Sequence, residues 1–173
     1  MPPASGPKRF VIIPAESHLS FFVKTGIGTI YGKTQKLEGF LEVAWDEDDK
    51  LVTSPTPRMH VEFAVESLTC GTAAKDPALW ATIDCVKFPK IGAELLQIAN
   101  PAAQVHIATG RISVGGIIRT YEGSLLLKRA PPRVIVDGFI TINLADFNIK
   151  ETRALPFGRN VDLKVRMIAS ARG

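Results

Sequence analysis

The chain has 173 residues, 46% of them hydrophobic and 22% charged, a length and balance that suit one packed domain and exclude a disordered chain. Its 21 basic residues against 17 acidic leave a net charge of +4, spread singly with no stripe to follow a phosphate backbone, so nucleic acid is not expected as a partner. No run reaches the roughly 18 apolar residues of a membrane-spanning helix and the start lacks a signal-peptide core. The chain as written is therefore expected in the cytoplasm, or in the periplasm or outside the cell if a signal has been removed.

Residues 1–8 (Met-Pro-Pro-Ala-Ser-Gly-Pro-Lys) read as a flexible leader ahead of a single domain over residues 9–170. The first strands fall at Phe10 to Ile13 and at Leu19 to Val23, where Leu19, Phe21 and Val23 share one face. Gly26-Ile27-Gly28 resembles the opening of a phosphate-binding glycine loop, but Tyr31 takes the place of the third glycine and no helix follows, so a wide turn is expected. A strand over Leu37 to Trp45 runs into Asp46-Glu47-Asp48-Asp49, which lacks the alternate spacing and closing glutamate of a calcium loop and reads as a solvated hairpin tip.

Met59, Val61, Phe63 and Val65 alternate with His60, Glu62 and Ala64, as a half-buried strand requires. From Gly71 to Asn100 the pattern turns helix-tolerant, and Pro77 suits the first turn of a short helical insertion beginning near Asp76. Gly92 to Gln97 fits either a helical turn or a short strand. Further strands follow at Gln104 to Val114, Thr120 to Lys128, Val134 to Asn143 and Val161 to Met167, with Gly115-Gly116 and Pro131-Pro132 as turns. The expected fold is all-β: about eight antiparallel strands in a meander whose edges closure would remove, hence a barrel with one short helical insertion. Eight strands enclose an interior that is either packed solid or open to one slim ligand.

Candidate chemistry is sparse. His18, His60 and His106 each have polar or small neighbours two residues away and are expected to face solvent, so no metal trio and no general base is assigned. There is no Gly-x-Ser-x-Gly elbow, and Cys70 and Cys85 have neither the spacing of a zinc or redox motif nor the number of a disulfide framework. No catalytic residue, metal or required cofactor is expected. Phe21, Val23, Phe63, Val65, Trp80, Ile107, Ile140 and Phe147 supply more aromatic and branched bulk than one small sheet face needs, which fits core packing or a lined cavity equally.

Three stretches carry a family resemblance. They are Pro14-Ala15-Glu16-Ser17-His18-Leu19-Ser20-Phe21-Phe22-Val23-Lys24 with Leu37-Glu38-Gly39; Lys75-Asp76-Pro77-Ala78-Leu79 with Asp84-Cys85-Val86-Lys87-Phe88-Pro89; and Ile142-Asn143-Leu144-Ala145-Asp146-Phe147-Asn148-Ile149 with Gly158 and Val161. In order and spacing they resemble the YceI-like polyisoprenoid-binding proteins from about Phe10 to about Met167. Ile13, Glu16, Thr25 and Leu144 stand where that pattern has an aspartate, two histidines and an arginine.

The resemblance implies a lipocalin-like barrel that holds a long-chain lipid, a polyisoprenoid or a quinone-type tail, often as a homodimer, with transient membrane contact left open. Residues inward by strand parity, and so expected to bind, are Leu19, Phe21, Val23, Phe63, Val65, Ile107, Leu125 and Ile140, with Trp80 and Phe147 near an opening. The alternatives are a barrel enzyme, which needs a buried histidine or carboxylate of shifted pKa, and a packed interaction module.

Overall fold

The computed structural model describes residues 6–25, 28–48, 50–53, 56–69, 86–102, 105–147 and 160–171. Among them one antiparallel sheet is built from β1 (Lys8–Ile12), β2 (His18–Thr25), β3 (Gly28–Thr34), β4 (Glu38–Val43), β5 (Arg58–Ala64), β6 (Lys90–Ala102), β7 (Val105–Val114), β8 (Ile117–Ala130), β9 (Arg133–Asn143) and β10 (Asn160–Ala171).

These ten segments make eight staves. β1 and β2 are two halves of one stave, since both pair with β10, and they part at Pro14, which has no N–H to give a ladder. A 3-10 turn over Pro14–Glu16 fills the gap, and Ser17 repairs it. The buried Ser17 hydroxyl donates to the Ile13 carbonyl at 2.8 Å and accepts the Ile168 N–H at 3.0 Å, standing in for a missing backbone partner. β3 and β4 form the second stave, interrupted over residues 35–37, where Thr34 Oγ1 accepts the Lys36 N–H at 3.2 Å. From there the chain meanders, each stave pairing with the next, until β10 pairs with β9 on one edge and with β2 and β1 on the other. The ring is a closed eight-stave barrel, as the strand patterns predict.

Two strands were not legible as strands. β3 carries Thr29, Gly32, Lys33 and Thr34, with no apolar alternation, and is fixed by the register Phe21↔Gly32 and its neighbours. β6 runs through the helix-tolerant stretch in which Gly92 to Gln97 fits either a helical turn or a short strand, and the structure makes it part of a thirteen-residue strand whose Gly and Ala residues are held in ladders with β5 and β7. A bulge at Leu96 lets β6 change register between Leu95 and Gln97, which also breaks the period of two. Gly28, placed in a wide turn by the sequence reading, instead opens β3 and pairs with Thr25. The helical insertion expected near Asp76, with Trp80, Cys70 and Cys85, lies outside the described residues.

The turns follow their chemistry. Gly115 and Gly116 have φ of 58° and 80°, the left-handed pair that a two-residue hairpin between β7 and β8 demands. Asp46 Oδ1 accepts the N–H groups of Asp48 and Lys50, closing the tip between β4 and β5.

Packing is uneven along the barrel axis. Call the lower end the one where the chain starts and where residues 130–133 connect β8 to β9. There Phe10, Ile12, Val43, Leu51, Ile98, Val134, Val136 and Ala169 form a dense plug, several with no exposed surface. The upper half is different: there bulky residues surround a space that a few small ones leave open.

Gly32 shows how tightly the bulky side is set. The Phe21 ring lies directly over it, and a Cβ at position 32 would stand 2.0 Å from Phe21 Cζ. Gly32→Ala is therefore expected to push the Phe21 ring inward and cost about 1–3 kcal/mol, read as a lowered midpoint in urea denaturation. An unchanged midpoint would show that the ring is not held against the glycine.

Candidate functional site

The upper half of the barrel encloses a cavity of about 250 Å³. Its bulky side is Leu19, Phe21 and Val23 from β2, Met59 and Phe63 from β5, and Leu163, Val165 and Met167 from β10. Its other side sets Ala93, Ala108, Gly110 and Gly123, residues with little or no side chain, among Ile91, Leu95, Ile112 and Leu125. The two sides together explain the space. Ala108 and Gly123 are opposite one another in the β7–β8 ladder, so at that level two neighbouring staves present almost bare backbone to the interior.

Glycine does two jobs here. At Gly138 a Cβ would meet Val165 Cγ1 at 2.9 Å and Leu125 Cδ2 at 3.0 Å, so its absence lets those side chains converge into a floor. At Gly110 the nearest atom to an added Cβ is the Glu94 carbonyl oxygen at 3.4 Å, and the space in front of it is empty. From above, Leu68, Leu144 and Phe147 reach into the cavity from the connections that follow β5 and β9.

Of the residues expected to bind, Leu19, Phe21, Val23, Phe63, Leu125, Ile140 and Phe147 line this cavity. Val65 is fully buried but packs beside it, at the start of a 3-10 turn over Val65–Ser67, and is not part of its wall. Trp80 lies outside the described residues. Ile107 is a correction: its side chain points outward and is 42% exposed, while Ala108 faces in. The parity of β7 had been set by its β-branched residues, yet the ladder register puts His106, Ala108, Ile112 and Val114 on the inner face.

The same inversion corrects His106. Expected at the surface, it is 6% exposed, its Nδ1 has no hydrogen-bond partner, and burial holds its pKa below the ordinary 6.5. It sits in the plug below the cavity rather than in the cavity wall. His18 and His60 do face outward, and His60 lies 3.5 Å from Glu62.

The residue that sequence reasoning missed is Tyr121. Its ring stacks on Phe147, with centroids 5.9 Å apart, at the upper rim. Its hydroxyl donates to the Asp146 carboxylate and accepts the Asn143 N–H at 3.3 Å. Burial, aided by the Asp146 bond, pushes its pKa up to about 12, so the hydroxyl remains a donor throughout the physiological range. A Tyr in a strand of mixed polarity carries no signal of such a role.

A YceI-like domain model matches residues 10–169. The chain belongs to the YceI-like family. No functionally curated protein matches this YceI-like chain. Solved structures with the same fold include BcnA of Burkholderia cenocepacia, at 16% identity and a TM-score of 0.78, covering 92% of this chain and 99% of that one. A polyisoprenoid-binding domain from Saccharophagus degradans implicated in plant cell wall breakdown aligns at 10% identity and a TM-score of 0.72, over 94% and 98%. The YceI protein of Campylobacter jejuni aligns at 12% identity and a TM-score of 0.67, over 82% and 85%. At such identities the likeness is one of fold, and it includes the lipocalin-like ring that the YceI-like resemblance implied.

His106 gives the YceI-like barrel a pH signature with a defined sign. Its folded pKa is lowered, so below pH 6.5 the unfolded chain takes up a proton that the folded chain refuses, and stability falls with acidification. His106→Leu removes the orphaned nitrogen and is expected to raise stability by about 1 kcal/mol at pH 7, and by more at pH 5. Urea denaturation at both values checks this; equal gains at the two would show that His106 does not titrate below its ordinary range.

Proposed function

We propose that this barrel is a non-enzymatic carrier of a long-chain apolar lipid, a polyisoprenoid or an isoprenoid quinone, whose tail lies in the upper cavity. The observation that carries the reading is the cavity itself: about 250 Å³, walled by Leu19, Phe21, Val23, Phe63, Leu163 and Val165 on one side, with Ala93, Ala108, Gly110 and Gly123 set among Ile91, Leu95, Ile112 and Leu125 on the other. A void that large would be costly to leave empty in a domain whose other half is packed to density. A slim branched tail matches such a slot.

Binding of this kind needs no reacting group. Each buried CH₂ contributes about 0.8 kcal/mol, so a five-carbon prenyl unit contributes about 4 kcal/mol before the cost of ordering it. Among the described residues that line the cavity, the side chains of His60 and Glu94 are the ones that carry an acid or base, and both are directed to the outer face. The Saccharophagus domain, polyisoprenoid-binding by its description, supports the choice of ligand class.

Native mass spectrometry and organic extraction of the purified protein should give a lipid of defined mass. Phe21→Asp and Phe63→Asp place a charge in the wall and are expected to abolish its retention. Gly110→Leu fills the open space without touching the ladder, and should fold with an unchanged melting temperature yet carry no lipid. An extract without lipid from the wild-type protein, or full retention by Gly110→Leu, overturns the assignment.

A further inference from the structure

Among the described residues the barrel wall parts between β8 and β9. β8 and β9 pair from Ala130↔Arg133 up to Ser124↔Phe139, and there the ladder stops, although both strands continue, β8 back to Ile117 and β9 on to Asn143. Above that point β8 stays with β7 and β9 stays with β10, so the two pairs of staves part like a V. No backbone hydrogen bond crosses the V among the described residues. What crosses it is Tyr121, whose hydroxyl reaches the backbone of Asn143 and the Asp146 carboxylate.

Gly123 marks the vertex. A Cβ there would stand 2.7 Å from the Phe139 carbonyl oxygen and 3.0 Å from Ile140 Cβ, so the strands touch and then diverge. The cavity reaches this vertex, for Gly123, Ser124, Phe139 and Ile140 are all in its lining. Phe139 is also 42% exposed on the outside.

Outside the vertex lies an apolar strip. Val105 and Ile107 of β7, 49% and 42% exposed, stand opposite Leu126 and Ser124 of β8, and Ser124 stands opposite Phe139 of β9. On this surface β7 presents the branched residues Val105 and Ile107 to the outside. Its charges are arranged around it. Asp137 is bound by Arg166 at 2.7 Å and Glu94 lies 3.7 Å from Arg111, while Lys128 and Lys164 flank the strip, with Glu122 and the Thr141-bonded Asp162 as the neighbouring carboxylates.

We propose that lipid passes into and out of the barrel sideways, through the V between β8 and β9, with the outer strip resting on an anionic bilayer and the Tyr121 hydroxyl as the latch. The proposal rests on the carrier reading above. Continuity argues for the bilayer as the partner: the strip runs into the vertex and the vertex into the cavity, so a tail leaving a membrane would stay on apolar surface all the way. Lys128 and Lys164 suit phosphate headgroups at the strip's edge.

Retinol, a fluorescent isoprenoid, serves as the probe, delivered from phosphatidylcholine–phosphatidylglycerol vesicles to the full chain. Equilibrium affinity reports on the carrier reading, and transfer rate reports on the portal. Tyr121→Phe removes the latch and is expected to speed both uptake and release about tenfold with little change in affinity. Val105→Glu and Ile107→Glu, on the outer wall, should slow transfer from the vesicles at least tenfold at unchanged affinity. Retinol that does not bind at all overturns the carrier reading. Retinol that binds but exchanges at wild-type rates in all three variants overturns the portal. A dimer that Ile107→Glu dissolves in sedimentation would give the strip to a second copy and overturn the bilayer assignment.

Discussion

Everything in this molecule hangs on the double pairing of β10. One edge of it runs along β9 through eleven successive residue pairs, Asn160↔Asn143 to Ser170↔Arg133, and the other edge is shared between β2 and β1. That sharing closes the ring, and a closed ring has no free edge along β10 to attract a foreign strand. The stave it closes on is broken at Pro14, so closure depends on a side chain: Ser17 takes over the hydrogen bonds of Ile168 at the point where the first stave loses its own. With the ring fixed, each inward position is committed to the interior, and what stands at those positions decides whether the interior is solid or hollow.

It is both. Large apolar residues from several staves meet in the lower half, and the orphaned Nδ1 of His106 is the cost of threading a polar residue through that plug. In the upper half the same ring carries Leu19 and Phe21 on β2 and Phe63 on β5, while β6, β7 and β8 interleave Ala93, Ala108, Gly110 and Gly123 with their larger residues. The hollow is made by omission where Ala93, Ala108, Gly110 and Gly123 stand at inward positions that branched side chains fill elsewhere.

The sequence was legible where chemistry and periodicity agree. Alternation on β2, β5, β9 and β10 placed Leu19, Phe21, Phe63 and Ile140 on the inner face, and the glycine pair and proline pair marked their turns. It was illegible where the inner face is the poor one. On β7 the branched Val105 and Ile107 are outside while Ala108 and Gly110 are inside, so a rule that sends bulk inward returns the wrong parity. β6 failed for a related reason: Gly92, Ala93 and a bulge at Leu96 look like anything but a long strand until β5 and β7 hold them on both edges. Tyr121 could not be found at all, because its partners Asn143 and Asp146 are brought to it only by the return of β9.

A hollow made by omission has a consequence for how such a chain changes over generations. The ladder is held by backbone, which is indifferent to residue type, while the volume and outline of the interior depend on a handful of small side chains such as Ala108 and Gly110. A single codon exchange at one of them redraws the cavity and leaves the frame untouched. Lineages can thus retune what fits inside while the scaffold persists, which accords with solved barrels that keep this architecture at 10–16% identity.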